Sequence, residues 1–239
     1  MTHVLNDLEM YNRFGGRWWA GDTAWIRTLQ NMVPARLAHF DTLVDGWQGK
    51  AVLDLGCGGG FMAEAMAARG ALVIGLDPAT EALAAAREHA AAEALEIDYR
   101  EGVGEAIPQG DASLDIVVSC DALEHVSDLD RVLDEVARVL KPGGLFLFDT
   151  INKNALSSFV VVTMGERVLR LMPRGTHDPA LFIRPRDLGR ALARRGFAVG
   201  RFKGIGPTGL NRRLDPTFGF VPSTAVNYLG SARKPLAAA

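Results

Sequence analysis

Two groups of residues in this 239-residue chain carry types and spacings suited to chemistry. The first is the run Gly56-Cys57-Gly58-Gly59-Gly60 with Asp54 two positions before it and Asp77 after it. Glycines let a backbone turn tightly and approach a ligand closely, and a carboxylate such as Asp77 at the end of the next apolar run accepts hydrogen bonds from both hydroxyls of a ribose. The chemistry is nucleoside recognition. A dinucleotide site wants G-x-G-x-x-G, but Phe61 takes the place of the last glycine. S-adenosylmethionine carries no phosphate; its methionine ammonium wants an acid, which Asp54 supplies. The second is the pair Glu124-His125; His177-Asp178 is a separate polar pair, and the meaning of both depends on the elements around them.

Those elements follow from hydrophobic period. Residues 50–55 (KAVLDL) and 71–76 (ALVIGL) read as buried strands flanking a helix from Phe61 to Arg69, with Gly70 as its cap. A helix over 79–95, strands near 97–100 and 114–119, a helix over 128–140, a Lys141-Pro142-Gly143-Gly144 turn and a strand over 145–150 continue the alternation. Late strands are expected near 197–203 and 225–230 after a helix near 185–195. This rhythm predicts an α/β Rossmann-like fold in one domain, 1–239, with helices on both faces of a mostly parallel sheet. The extra length falls in an N-terminal helical cover, 1–49, and an insertion, 152–184. With 26 basic and 28 acidic residues, net −2, no general attraction to nucleic acid is expected. The polar start, the lack of a long uncharged apolar run and the two well-separated cysteines point to a cytoplasmic protein with reduced thiols.

VLDLGCGGG (52–60), IGLD (74–77), LEHV (123–126) and LKPGG (140–144) resemble class I S-adenosylmethionine-dependent methyltransferases. Trp18-Trp19, Pro34 with Arg36, RLMPRGTHDPALFIRP (170–185) and VNYL (226–229) resemble the O-methyltransferases of ubiquinone biosynthesis. The resemblance implies a seven-stranded, mostly parallel sheet with an antiparallel last strand. It also implies methylation of a phenolic hydroxyl on a small, lipid-linked aromatic. Arg36, Gly56, Asp77 and Cys120 are implied as cofactor contacts, with Asp54, Cys57, Gly58, Pro78, Val103 and Gly104 expected beside them. In some members an acid followed at +3 and +4 by Glu and His accompanies a divalent metal, and Asp121, Glu124 and His125 match that spacing. The chain departs from the family at Gln30, Val33 and Asp121-Ala122.

Methyl transfer to a phenol needs alignment and an activated oxygen, since a phenol with pKa near 10 is a poor nucleophile at pH 7. Two activators compete: His125, aided by Glu124, as a base, or Mg²⁺ or another divalent cation on Asp121, Glu124 and His125. His177 either meets substrate or ties down a loop. Trp18 and Trp19 either roof the substrate or pack. The apolar stretch 155–172, interrupted by Glu166, Arg167 and Arg170, is a core helix, a substrate lid, or an interfacial helix making weak peripheral contact at the inner membrane face. The rival functions are N-, C- or S-methyl transfer and a non-catalytic cofactor-binding scaffold. Oligomeric state is not legible from the sequence.

Overall fold

The computed structural model describes residues 6, 9–169 and 171–236. Arg170 lies outside the described residues. The chain opens with a short helix α1 (Glu9–Arg13), a 3-10 turn (Gly15–Arg17) and a long helix α2 (Ala24–Phe40). The alternating core then runs β1 (Ala51–Leu55), α3 (Phe61–Ala67), β2 (Leu72–Asp77), α4 (Thr80–Ala92), β3 (Ile97–Glu101), β4 (Leu114–Ser119), α5 (Leu129–Val139) and β5 (Leu140–Ile151). A three-residue turn α6 (Ala155–Ser157) leads into a π-helical stretch (Ser158–Val168). Helix α7 (Pro185–Arg194) and strands β6 (Ala198–Val199), β7 (Lys203–Leu210), β8 (Pro216–Val221) and β9 (Asn227–Arg233) complete the described fold.

Among the described residues one sheet carries every strand, in the order β3-β2-β1-β4-β5-β9-β7-β8, with β6 paired to β9. The first five strands are mutually parallel and β9 is antiparallel to β5. The Rossmann-like arrangement is therefore present with its antiparallel last strand, but the sheet has nine strands rather than the expected seven. The difference lies in β6 and in the β7–β8 hairpin. The hairpin strands, KGIGPTGL and PTFGFV, contain Gly and Pro that weaken a strand reading of the sequence. Their position at the sheet's end, with α2 docked on them through Arg27 paired bidentately to Asp215 at 2.9 and 2.7 Å, overrides that local preference. The K-P-G-G segment also differs from a simple turn: it bulges within β5, where pairing to β4 skips from Leu140 to Leu145.

Period-2 alternation assigns the core. Val52, Val118 and Leu147 pack toward α2, α3 and α4, while Leu53, Val117, Phe146 and Phe148 pack toward α5 and α7. Helix α5 shows how local chemistry starts such an element: Asp128 caps it by accepting from Arg131 N at 3.0 Å, and Val132, Leu133, Val136 and Val139 are fully buried. The strand order reverses between β1 and β4, and the carboxyl ends of those strands meet there. In open α/β sheets that crevice is the ligand-binding place. The N-terminal cover closes over it, with Met10, Trp18, Trp25 and Ile26 packed on Phe61, Ala79 and Ala82.

Candidate active site

A cavity of about 450 Å³ opens at that crevice. Its lining includes Asp54, Gly56, Cys57, Gly58, Asp77, Pro78, Val103, Gly104, Cys120, Arg36 and Trp18, together with Asp121 and His125. Thus every expected cofactor residue lines one space. Gly56, at φ +75°, has room only for a hydrogen, because a Cβ there would collide with the Ala122 methyl. Gly58 N donates to Asp77 Oδ2 and Ala79 N to Asp77 Oδ1, both at 2.8 Å. The Asp77 carboxylate therefore joins the glycine turn to the end of β2 and keeps lone pairs for a ligand.

Asp54 is buried, and its Oδ2 has no hydrogen-bond partner. Burial, reinforced by Asp77, pushes its pKa up to about 7. The cavity-lining Ser119 Oγ is likewise without a partner. An orphaned buried acid is costly unless a ligand satisfies it, and a cationic ligand such as a methionine ammonium suits it. Arg36 is buried and ion-paired with Asp149 and Asp121. Its charge is thus already matched by two carboxylates inside the protein.

The surroundings of His125 are assembled from distant segments. Asn6 Nδ2 donates to the His125 carbonyl at 3.0 Å, and Asn6 Oδ1 lies 2.6 Å from His125 Nδ1. The Tyr11 hydroxyl is 3.4 Å from His125 Nε2. Burial, then the neighbouring His177, lowers the His125 pKa to about 3, so the ring is neutral at pH 7. Glu124 is buried; Thr150 Oγ1 donates to its Oε2 at 2.7 Å, while Oε1 has no partner. Burial and the nearby Asp121 raise the Glu124 pKa to about 8.

His177 stacks on His125 with ring centroids 5.2 Å apart. Its Nδ1 faces Glu166 Oε1 at 2.9 Å, and Glu166 also accepts from Gly175 N at 2.8 Å and His177 N at 3.0 Å. Glu166 sits on the π-helical stretch with Val161 and Val162 on the buried side, so this insertion is tied to the site through one carboxylate. Sequence reasoning passed over Glu166; an acid on the buried face of an apolar helix was the available signal. Asn6 and Tyr11 offered no such pattern.

Glu124, His125 and His177 present ligand atoms that all lie within 4.8 Å of one another. This set differs from the expected Asp121, Glu124 and His125. Asp121 sits at φ +49° and turns its carboxylate to Arg36, while His177 arrives from the insertion instead. The residues fit a divalent ion well. Glu124 Oε1 has no partner and His125 Nε2 meets only the Tyr11 hydroxyl at 3.4 Å, while each side chain is held from behind: Glu124 by Thr150, His125 by Asn6 and His177 by Glu166. Such backing is what ligating side chains ordinarily carry. Two histidines and one carboxylate suit a zinc-like or other transition ion better than the oxygen-loving Mg²⁺.

The tryptophans divide. Trp18 lines the cavity and packs across Gly58 and Gly59. Trp19 does not line it: its Nε1 donates to Gly59 O at 2.9 Å and its ring stacks on His89 at 3.5 Å, clamping the glycine turn from outside.

Residues 53–148 match the family model described as a methyltransferase domain. A solved methyltransferase from Thermotoga maritima, titled a possible histamine N-methyltransferase, superposes with a TM-score of 0.66 at 17% identity, covering 95% of this chain and 98% of that one. One from Mesorhizobium loti gives a TM-score of 0.58 at 24% identity, covering 84% and 98%. Curated relatives span nearly the whole length. A ubiquinone biosynthesis O-methyltransferase of Paracidovorax citrulli is 39% identical over 95% of this chain and 94% of its own. One from Chromobacterium violaceum is 35% identical over 95% and 96%. With the glycine turn and Asp77 lining one part of its cavity and His125, neighbour of Glu124 and His177, lining another, the chain belongs to the ubiquinone biosynthesis O-methyltransferases, a family of class I S-adenosylmethionine-dependent methyltransferases.

Proposed function

We propose that the protein moves a methyl group from S-adenosylmethionine to a phenolic hydroxyl of a quinone precursor. The observation that carries this reading is the single cavity with the glycine turn, Asp54 and Asp77 at one end and His125 at the other. Asp77 holds the ribose, Asp54 the methionine ammonium, and the Gly56–Gly58 backbone the methionine chain. Pro78, Val103 and Gly104 would flank the nucleoside, and Arg36, balanced by Asp149 and Asp121, would meet the cofactor together with Cys120. Alignment of sulfonium and oxygen across one enclosed space supplies much of the acceleration.

Activation of the acceptor oxygen falls to the cluster beside His125. A ring with a pKa of about 3 is too weak a base to deprotonate a phenol near 10, so His125 serves as a neutral donor-atom side chain rather than as the sole base. Glu124, His125 and His177 would hold a divalent cation, which supplies a positive charge that lowers the pKa of a phenol beside it. Glu166, Asn6 and Thr150 fix the three side chains, and Trp18 with the N-terminal cover excludes water. The insertion exposes Leu156, Phe159, Val160, Val168 and Leu169 and also Arg167 and Arg174, a combination that suits contact with a membrane that carries a lipid-linked acceptor. No helix among the described residues is long and apolar enough to cross a membrane.

The deciding assay supplies S-adenosylmethionine and a panel of catechols, amines and thiols, with products identified by mass spectrometry. Methoxyphenols from catechols, lost in chelator and restored by Zn²⁺ or Mn²⁺, are expected. Methylation of amines or thiols with inert catechols would overturn the reading.

A further inference from the structure

Glu124, His125 and His177 do not come from one piece of the chain. The first two follow β4 in the body of the sheet, whereas His177 is carried by the insertion 152–184. The base of that insertion is closed on itself. Ile183 N donates to Ile151 O at 3.0 Å, Asn152 N to Val226 O at 2.7 Å and the Tyr228 hydroxyl to Ile183 O at 3.0 Å. Its two ends are thus fixed side by side where β5 meets β9, which makes the residues between them a flap on a single base. Inside the flap, Glu166 ties the π-helical stretch to the loop after it, accepting from Gly175 N and His177 N and facing His177 Nδ1. Where His177 goes, the π-helical stretch follows. What else holds the flap down is modest. Its buried Val161, Val162 and Phe182 form a small cluster with Ile151, separate from the two large clusters of the sheet. The Thr176 hydroxyl donates to the Met10 sulfur at 3.3 Å, and a thioether is a weak acceptor. A segment with so few buried apolar contacts opens at low free energy.

We propose that the divalent ion is the clasp of this flap: by joining His177 to Glu124 and His125 it docks the insertion on the body of the protein, so that the charge which activates the phenol also closes the site around it. This rests on the cation-assisted reading of acceptor activation. Glu124 offers an oxygen within 4.8 Å of a His177 nitrogen, and its Oε1 is buried with no partner. A buried carboxylate oxygen left unsatisfied is costly, so docking His177 beside it is favoured when a cation is shared between them. An ion with ligands on both sides of the gap binds the closed flap more tightly than the open one, and the closed population rises with it. At a free ion concentration one hundred times the Kd of the closed form, the closed-to-open ratio rises about a hundredfold. The open flap admits a phenol that arrives on an apolar tail, and the closed flap keeps water from the reacting oxygen. Glu166 is a positioning residue that transmits the clasp from His177 to the π-helical stretch.

The test is hydrogen exchange read by mass spectrometry on the full-length protein, in chelator and with Zn²⁺ alone, with bound metal measured in parallel. Zn²⁺ is expected to slow amide exchange across 158–168 and 175–182 by about tenfold or more, and to leave α5 unchanged. His177→Ala should abolish that protection, with unaltered exchange in α5 showing that the variant has folded. Glu166→Ala should confine the protection to 175–182, because the carboxylate that carries it to the π-helical stretch is gone. Stoichiometric Zn²⁺ with unchanged exchange across 158–168 overturns the clasp and leaves the activation reading standing. Protection that survives in His177→Ala also overturns it, since the ion would then hold the flap from elsewhere. Protein that binds no Zn²⁺ at all sinks the activation reading and the clasp together, a result separable from bound metal without protection.

Discussion

The glycine-turn end of the cavity is built around one stretch, residues 54–79, to which Arg36, Val103, Gly104 and Cys120 are added from α2 and from the segments after β3 and β4. The acceptor end gathers Asn6, Tyr11, Glu124, His125, Thr150, Glu166 and His177 from four separate parts of the chain. The first takes its shape mainly from local backbone geometry, Gly56 and Gly58 standing at positive φ, with Trp18 and Trp19 packed on the turn from outside. The second exists only when the N-terminal cover and the 152–184 insertion are both docked. A common nucleoside site can therefore be kept while the acceptor chemistry is varied by altering two peripheral segments.

The sharpest way to break that contrast is to disable the acceptor end alone. Glu124→Ala removes a ligand atom that has no other partner, and is expected to abolish methyl transfer by more than 100-fold and to strip bound divalent ion, as measured by turnover and elemental analysis. Glu166→Gln, one step further out, should cost about 10- to 100-fold through the orientation of His177. In both variants calorimetric affinity for S-adenosylhomocysteine should stay within about twofold of wild type. A parallel loss of cofactor binding would mean that the two ends are not independent.

That independence also explains what could be read before the structure. The glycine turn, Asp54 and Asp77 were legible because glycine spacing and strand ends are local signals. The Rossmann-like order followed from alternating periods, whereas the β7–β8 hairpin did not, because Pro207 and Pro216 mask strands that are held by α2 from outside. The expected ligand set of Asp121, Glu124 and His125 assumed that spacing +3 and +4 on one helix decides the matter. In the fold the segment is a loop, Arg36 from α2 captures Asp121, and His177, some fifty positions away, takes its place. Long-range charge pairing of that kind leaves no periodic trace.

The cofactor end has its own signature in pH. Asp54 is protonated below about 7 in the free protein and ionised beside the ligand ammonium, so binding releases a proton below that pH. Affinity for S-adenosylhomocysteine should therefore rise up to about tenfold per unit as pH climbs toward 7, and level off above it. Asp54→Asn is expected to give weak, pH-independent binding over the same range. Stability moves the other way. Since the folded pKa is raised above the ordinary 3.8, the protonated acid contributes stability fully present below 3.8 and lost as pH rises through about 7. The ligand-free Asn variant should accordingly melt higher than wild type at pH 8. A pH-dependent affinity that persists in Asp54→Asn would assign the proton to another group, Glu124 being the first alternative.

The smallest expected effect concerns the outer face of the insertion, where the comparison can be sharpened without touching either end. The π-helical stretch turns Val161, Val162, Gly165 and Glu166 inward and leaves Phe159, Val160 and Val168 outward, with Phe159 54% and Val168 58% exposed. The wider turn of a π-helix lets one short segment deliver a carboxylate to the site while presenting an apolar row to the outside. Apolar groups so exposed gain free energy only where water is removed, and the exposed Arg167 and Arg174 of the same insertion favour anionic headgroups. Phe159→Ser with Val168→Ser should reduce co-sedimentation with vesicles containing anionic lipid by several-fold, while KM for water-soluble catechol stays within about twofold of wild type. If the soluble acceptor loses activity as much as the vesicles lose protein, the row supports the lid from within and makes no membrane contact of its own.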